Sequence, residues 1–478
     1  LASYGVIVDP RERREEILRQ AEAVAAEVEG VLPDDEALLT EVANLVEVPT
    51  AIRGSFEKRY LTLPQDVLIA VMKKHQRYFP VLDRRGRIMS YFVTIRNGGS
   101  EHLDIVRQGN EDVIRARYAD AEYFYNHDCR RHLESFRDDL AKLTFQAELG
   151  SMLDKTERLE TLAPWVGRRL GLDTPDLAAL ERAAHLAKAD LATKMVIEMT
   201  SLQGVMGREY ARRSGESAAV ADAIYEHYLP RSADDELPQS GPGIALALAD
   251  RADSLVGLFG VGMAPSGSAD PYGLRRAASG IVQILLETET TLSLSELYDC
   301  TRQVLDLEVA DKILDDVLDF TVGRLRGILR DAGLAYDVVE AALAEQGDNP
   351  VRARCAAEQL ATWVDREDWP VLLDNYARCV RITRDHPVYT LNSSVLEEEA
   401  SRNLYRVFKE AESELDEHSD VDDFLNTFQP LVKPIQRFFD EVLVMAEDPE
   451  VRQARLALLQ GIANLASDIA DLSELEGF

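Results

Sequence analysis

Two short runs carry acids in settings that could support chemistry: LAKAD, ending on Asp190, and LADRADSL, holding Asp250. A carboxylate on a helix can ligate a metal, move a proton, or form half of an ion pair. Divalent metals favour imidazole beside carboxylate. The nearest imidazole is His185, four residues before Ala189. A lone histidine at that spacing is more often packed than ligating. The other histidines (75, 102, 127, 132, 227, 386, 418) are scattered, and the five-residue spacing of His127 and His132 does not share a helical face. No H-E-x-x-H or nucleophile-elbow motif occurs. The glycine-rich GVGMAPSGSADPYGLRR lacks a G-K-[ST] ending and follows no clear strand, so it is not a phosphate loop.

The acids do fit one known pattern. KTERLETLAPWVGRRLGLD resembles the first helix of an HD domain, with Lys155 where its histidine is expected. LAKAD resembles the His-Asp dyad, with Ala189 for the histidine and Asp190 in place, and Asp250 stands as the distant acid. Such a site activates water on one or two divalent metals. Here both imidazoles are missing, and an ammonium at Lys155 repels a divalent ion. One reading makes Lys155 the electrostatic replacement for the metal, paired with Asp190 or Asp250. The other makes Asp190 a surface i, i+4 partner of Lys194.

These residues need elements to hold them. REEILRQAEAVAAEVEG reads as a helix closing at Gly30. VEVPTAIRGSF is β-branched, PQDVLIAVMKKHQ opens a helix at Pro64, and RYFPVLDRRGRIMSYFVTI reads as two strands turning at Arg85-Gly86. From about residue 128 the pattern is helical nearly to the end; Ala192, Met195, Val196 and Met199 follow helical spacing and read as core. EAESELDEHSDVDDF reads as an exposed acidic turn. The expected fold is mainly α: a small α/β unit over 1–127, a degenerate HD-like domain over 128–285, a helical linker over 286–372 and an all-helical domain over 373–478.

The 478 residues allow about three domains. No run is apolar and long enough to span a membrane. Four separated cysteines, with no C-x-x-C, fit a reducing cytoplasm better than a disulfide framework or a zinc site. The formal net charge of -32 argues against nucleic acid as a global sum, but a footprint is local. Basic clusters stand at KKHQR (73–77), RRGR (84–87), RAR (115–117), CRRH (129–132), YARR (210–213) and LRR (274–276). Any one of them can equally be a solvated face.

Longer stretches carry a specific resemblance. KHQRYFPV, GNEDVIRARYADAEYFYNHD, LTFQAELGSMLDKTERL, LQGVMGREYA, ALADRADSLVGLFGVG, DPYGLRRAASGI and FFDEVLVMAEDPEVRQARLALL occur in the order found in the beta subunit of bacterial heterotetrameric glycyl-tRNA synthetase. The resemblance covers nearly the whole chain, whose start at Leu1 suggests a truncated N-terminus. It implies an α/β region similar to part of the editing-like domain of phenylalanyl-tRNA synthetase, and a C-terminal anticodon-binding domain similar to that of arginyl-tRNA synthetase. It also implies a tRNA-binding chain in the cytoplasm with no catalytic site and no cofactor of its own. ATP and Mg belong at the alpha subunit, or a fused alpha region, within an alpha2-beta2 ligase acting on the glycine tRNA. Candidate RNA contacts are Lys73, Lys74, Arg77, Arg208, Arg212, Arg213, Arg275, Arg276, Arg381, Arg384, Arg452 and Arg455. Tyr78 and Phe79 beside the first group offer either base stacking or core. Competing readings are an HD-type metal-dependent phosphohydrolase and a helical scaffold without catalysis.

Overall fold

The computed structural model describes residues 4–233, 235–416 and 418–478, without the His75 side chain. The chain forms two compact units, one of residues 1–160 and 178–228, the other of 161–177 and 229–478.

The first unit opens with α1 (Pro10–Ala26) and α2 (Glu36–Leu45). Asp9 caps α1 by accepting from Arg11 N at 2.7 Å, and Pro10 follows at the first helical position. The helix stops before the predicted Gly30. Glu29 takes the left-handed conformation (φ 58°), and Gly30 is needed for packing, since a Cβ there would lie 2.2 Å from Val81 Cγ1. Strand β1 (Pro49–Ser55), α3 (Gln65–Ala70), β2 (Phe79–Leu82) and β3 (Ile88–Asn97) follow. The antiparallel sheet has order β1-β3-β2, with Pro49 opposite Asn97 and Ser55 opposite Tyr91. The turn expected at Arg85-Gly86 is present: Gly86 sits at φ 76° and donates to Asp83 O at 2.9 Å. Ile17, Ala21, Leu39, Val42, Val81 and Val93 join the two helices to the sheet in one core.

A 26-residue helix, α4 (Leu103–Asp128), continues the chain, and a short hairpin of β4 (Thr144–Gln146) and β5 (Gly150–Ser151) precedes α5 (Met152–Arg169) and α6 (Thr174–Leu186). The segment read as one helix through LAKADLATKMVIEM is broken. Lys188 adopts φ 66°, Ala189–Ala192 form a 3-10 turn, and α7 (Lys194–Glu198) restarts on a Thr193 cap. Met195 and Val196 are core as expected, whereas Ala192 and Met199 are half-buried. Then come α8 (Val205–Arg213) and α9 (Ala218–Glu226).

The second unit is helical: α10 (Gly241–Gly260), α11 (Leu274–Glu287), α12 (Leu294–Gln303), α13 (Asp311–Asp331), α14 (Tyr336–Gln346) and α15 (Pro350–Val364). Then follow α16 (Trp369–Thr383), α17 (Glu399–Glu414), α18 (Val421–Phe428), α19 (Val432–Glu441) and α20 (Pro449–Ala463). The acidic 410–424 stretch is only partly a turn, because α17 runs to Glu414 and Asp420 starts α18 with a capping box. Tyr376, Phe424 and Phe428 meet edge-on at the centre of the C-terminal core.

Candidate RNA interface and a metal-less pocket

Asp190 is fully buried in the first unit. One carboxylate oxygen accepts from Gly204 N at 2.6 Å, and the other lies 3.5 Å from the Tyr228 hydroxyl. The glycines that follow let backbone come this close. Gly204 sits at φ 79°, and a Cβ on Gly207 would stand 3.2 Å from the Asp190 carboxyl and 2.7 Å from Ile224 Cγ2. Burial raises the Asp190 pKa, while the Gly204 N–H and the positive charge of Lys188 act in the opposite direction.

Lys188 is buried, with its ammonium 4.0 Å from the Tyr228 ring centre. The sequence reading overlooked it in favour of Lys155. No local sequence signal marks it, because its placement depends on the bend it makes: a lysine with positive φ persists only where its surroundings hold it. Lys155 is also buried, with Nζ 4.8 Å from the Phe145 ring. The neighbouring Thr156 hydroxyl reaches Ala187 O at 3.3 Å, so α5 packs against the segment carrying Lys188.

The surface pair of Asp190 with Lys194 is not formed. Asp190 has no exposed surface and sits in a 3-10 turn, and the Lys194 ammonium lies 5.4 Å over the Tyr123 ring. His185 is no ligand either: Nδ1 lies 2.9 Å from Glu160 Oε1 and Nε2 lies 3.3 Å from Glu134. Asp250 lies in the second unit, on α10 beside the buried Arg251. Arg251 donates to Ala247 O (3.0 Å), Leu229 O (2.5 Å) and Pro230 O (3.1 Å). Burial pushes its pKa down to about 10, against the Asp250 charge.

These residues do not suit a divalent metal. A methyl at Ala189 and ammonium groups at Lys155 and Lys188 give no ligands, and among the described residues no group of three or more His, Cys, Asp or Glu side chains could hold one.

The candidate cations fall into three kinds. In the first, a carboxylate already neutralises the charge. Lys73 pairs with Asp35, and Arg77, itself at φ 55°, pairs with Glu41 at 2.7 Å. On α8, Arg212 pairs with Asp222 at 2.6 Å, Arg213 with Glu209 at 3.1 Å, and Arg208 lies 3.7 Å from Asp66. Tyr78 and Phe79 are core and offer no stacking platform. Tyr78 stacks on Phe92 at 4.6 Å, and burial pushes its pKa up to about 12.

The second kind holds loops. Arg275 donates to Gly267 O at 2.6 Å and Arg276 to Arg231 O at 3.4 Å. Arg452 donates to Ala446 O at 3.0 Å. Arg455 is 6% exposed, donates to Leu443 O at 2.7 Å and is ion-paired with Glu398, so its guanidinium is committed within the fold. Together these last two clamp the connection between α19 and α20, which exposes Leu443 and Met445.

In the third kind no carboxylate partner is recorded among the described residues. Lys74 is exposed. On α16, Arg378 lies 4.2 Å over the Phe439 ring and Arg381 lies 5.3 Å over Phe478, while Arg384 is exposed just past the helix end. Arg378 was missed, although it heads the same three-residue spacing.

The architecture defines a class: a mainly helical chain with a small α/β unit and an arginine-bearing C-terminal helical segment. A model described as glycyl-tRNA synthetase beta subunit matches residues 1–344, and a DALR anticodon binding domain matches 372–473. The beta subunit of glycine-tRNA ligase from Desulforudis audaxviator is 43% identical over 98% of this chain and 69% of that protein. Its counterpart from Halothermothrix orenii is 40% identical over the same shares. The chloroplastic/mitochondrial glycine-tRNA ligase 2 of Arabidopsis thaliana is 39% identical over the whole chain, which spans 45% of the plant protein. The chain belongs to the glycyl-tRNA synthetase beta subunit family, whose members are ligase subunits with an anticodon-binding domain. Among the described residues no helix is long and apolar enough to cross a membrane.

Proposed function

We propose that this chain binds the glycine tRNA and positions it for ATP-dependent glycylation at a site held by an alpha subunit or a fused alpha region, in a cytoplasmic alpha2-beta2 assembly. The observation that carries this reading is the arginine ridge of α16, inside the segment matching an anticodon-binding domain. Arg378, Arg381 and Arg384 are cations without a recorded acid, in a chain of net charge -32. RNA phosphates need such uncommitted charge, and unstacked bases need apolar or planar surface. The clamped loop supplies the latter through Leu443 and Met445. The wider acidity repels RNA elsewhere and so favours one docked geometry. The division into α/β, degenerate HD-like, linker and anticodon-binding segments at residues 127, 285 and 372 is part of this proposal.

The phosphohydrolase reading gains no support, because Lys155 and Ala189 supply no metal ligand where the HD pattern expects imidazoles, and the charge acting on the buried Asp190 is that of Lys188. ATP and Mg belong to the partner in this scheme. The test is charging of the glycine tRNA with this chain alone and with added alpha subunit. Charging only in the mixture is expected; full charging by this chain alone overturns the scheme.

A further inference from the structure

The first unit holds a groove of about 580 Å³ at the free edge of β1, flanked by α1 and the N-terminal half of α4. Phe56 N donates to Ser90 O and Gly98 N to Val48 O, which sets the parity of the ladder: even residues of β1 bond β3 and odd ones face outward. An outward N–H row is an invitation to another strand. Two side chains answer it at the ends. Gln20 of α1 accepts from Ala51 N at 3.0 Å, and Glu111 of α4 accepts from Ser55 N at 2.8 Å. Between them Arg53 turns its main-chain N–H and C=O into the groove. No partner for either is recorded among the described residues. The gap is one residue long, room for a single peptide unit flanked by its neighbours.

The lining decides what enters. Glu27, Asp104 and Glu111 bring three carboxylates against the guanidinium groups of Arg53 and Arg107. Arg53 is already tied to Glu27 at 2.8 Å, whereas Glu111 accepts from Ser55 N and Oγ and has no cation partner among the described residues. A phosphate chain meets net negative charge here; a lysine or arginine side chain meets acceptors. The volume is that of a small-ligand site, and a peptide amide matches a donor and an acceptor side by side.

We infer that this groove docks an extended segment of a partner protein chain, bearing lysine or arginine, one residue of which pairs with the main chain of Arg53. This surface is separate from the arginine ridge and needs no RNA.

The experiment is fluorescence anisotropy at low salt on the whole chain with three labelled probes: Thr-Lys-Thr-Lys-Thr-Lys-Thr, its glutamate counterpart, and hexauridylate. The lysine peptide binds, and the other two bind at least about tenfold more weakly. Asp104→Asn with Glu111→Gln keeps hydrogen-bonding shape and weakens the lysine peptide roughly fivefold. Arg53→Pro removes an N–H that β3 does not use and abolishes binding, with the fold checked by circular dichroism. Amide exchange across residues 51–55 slows when the lysine peptide is present. Equal or tighter binding of hexauridylate, unchanged affinity in the doubly neutralised chain, no binding of the lysine peptide, or no slowing at 51–55 overturns the inference.

Discussion

The arginines of α8 and those of α16 look alike in sequence and differ in what surrounds them. Arg208, Arg212 and Arg213 each have a carboxylate within 4 Å, supplied by their own helix or by elements that fold beside it. Arg208 and Arg213 also lie over rings, of Tyr225 and Tyr125, but Arg378 and Arg381 lie over theirs with no carboxylate partner among the described residues. An exposed ion pair contributes little to stability, yet it cancels the long-range charge a phosphate would respond to. A ring holds the guanidinium in place and leaves its charge intact. Under the proposed function, a basic run in a chain this acidic is expected to contact RNA only where no acid has been placed beside it.

A buried arginine is the limiting case of commitment, and breaking it gives the largest expected effect. Arg455→Ala leaves the Leu443 carbonyl without its side-chain donor and Glu398 without its cation, with Ser401 Oγ still donating to that carboxylate, and costs about 2–4 kcal/mol of stability, discounted for the partial exposure of Glu398. Thermal unfolding should show a lower midpoint, and tRNA affinity should fall as well because the loop carrying Leu443 and Met445 loosens. If Arg455→Ala lowers affinity with no loss of stability, Arg455 touches RNA directly and the comparison fails.

The ridge comes next. Replacing Arg378, Arg381 and Arg384 together by Ala should weaken binding of the glycine tRNA by about 30-fold or more, with stability nearly unchanged. The slope of log affinity against log salt should shrink by roughly one for each phosphate no longer neutralised. Unchanged affinity and slope in filter binding would sink the assignment of the ridge.

A smaller effect separates the metal-less pocket from both sets of arginines. The folded pKa of Asp190 is raised, so folding favours its protonated form. The associated stability is present below the unfolded carboxylate value, near 4, and is lost as pH rises through the raised folded value. Asp190→Asn retains an acceptor for Gly204 N and removes the titration. The stability of the natural chain relative to this variant should therefore fall on going up from about pH 4 and level off above the folded pKa. A constant difference in unfolding free energy across that range would show that Asp190 titrates alike in the folded and unfolded chain, and that burial does not raise its pKa.

How much of this was legible in the sequence depended on whether the cause was local. The β2–β3 turn was readable because Gly86 supplies the positive φ that the turn needs. The end of α1 was not, since Gly30 answers to Val81, far away in sequence. The length of α4 was hidden in a stretch taken as part of an α/β unit. Ile105, Val113 and Tyr123 are exposed on it and blur the stripe of Ile114, Tyr118, Ala121 and Tyr125 that packs. At the pocket, the loss of imidazoles was plain from Lys155 and Ala189. The role of Lys188 was not, because it depends on a backbone bend and on Tyr228, forty residues on. The family resemblance rested on runs spanning the chain and was firm, whereas single arginines could not be sorted without knowing where the acids fold.

The smallest predicted effect tests that last point most directly. Changing Arg208, Arg212 and Arg213 to Ala removes three positive charges from a chain of net charge -32, so a purely global electrostatic view predicts weaker tRNA binding than the natural chain shows. The pairing view predicts less than about threefold loss, because each charge was already matched by Asp222, Glu209 or Asp66. The natural acids permit a second step. Asp222→Asn frees Arg212 without adding a cation, and under the pairing view it should raise affinity for RNA slightly and steepen the salt dependence. A loss of tenfold or more from the α8 triple change, measured beside the α16 triple change on the same tRNA, would erase the distinction between the two helices.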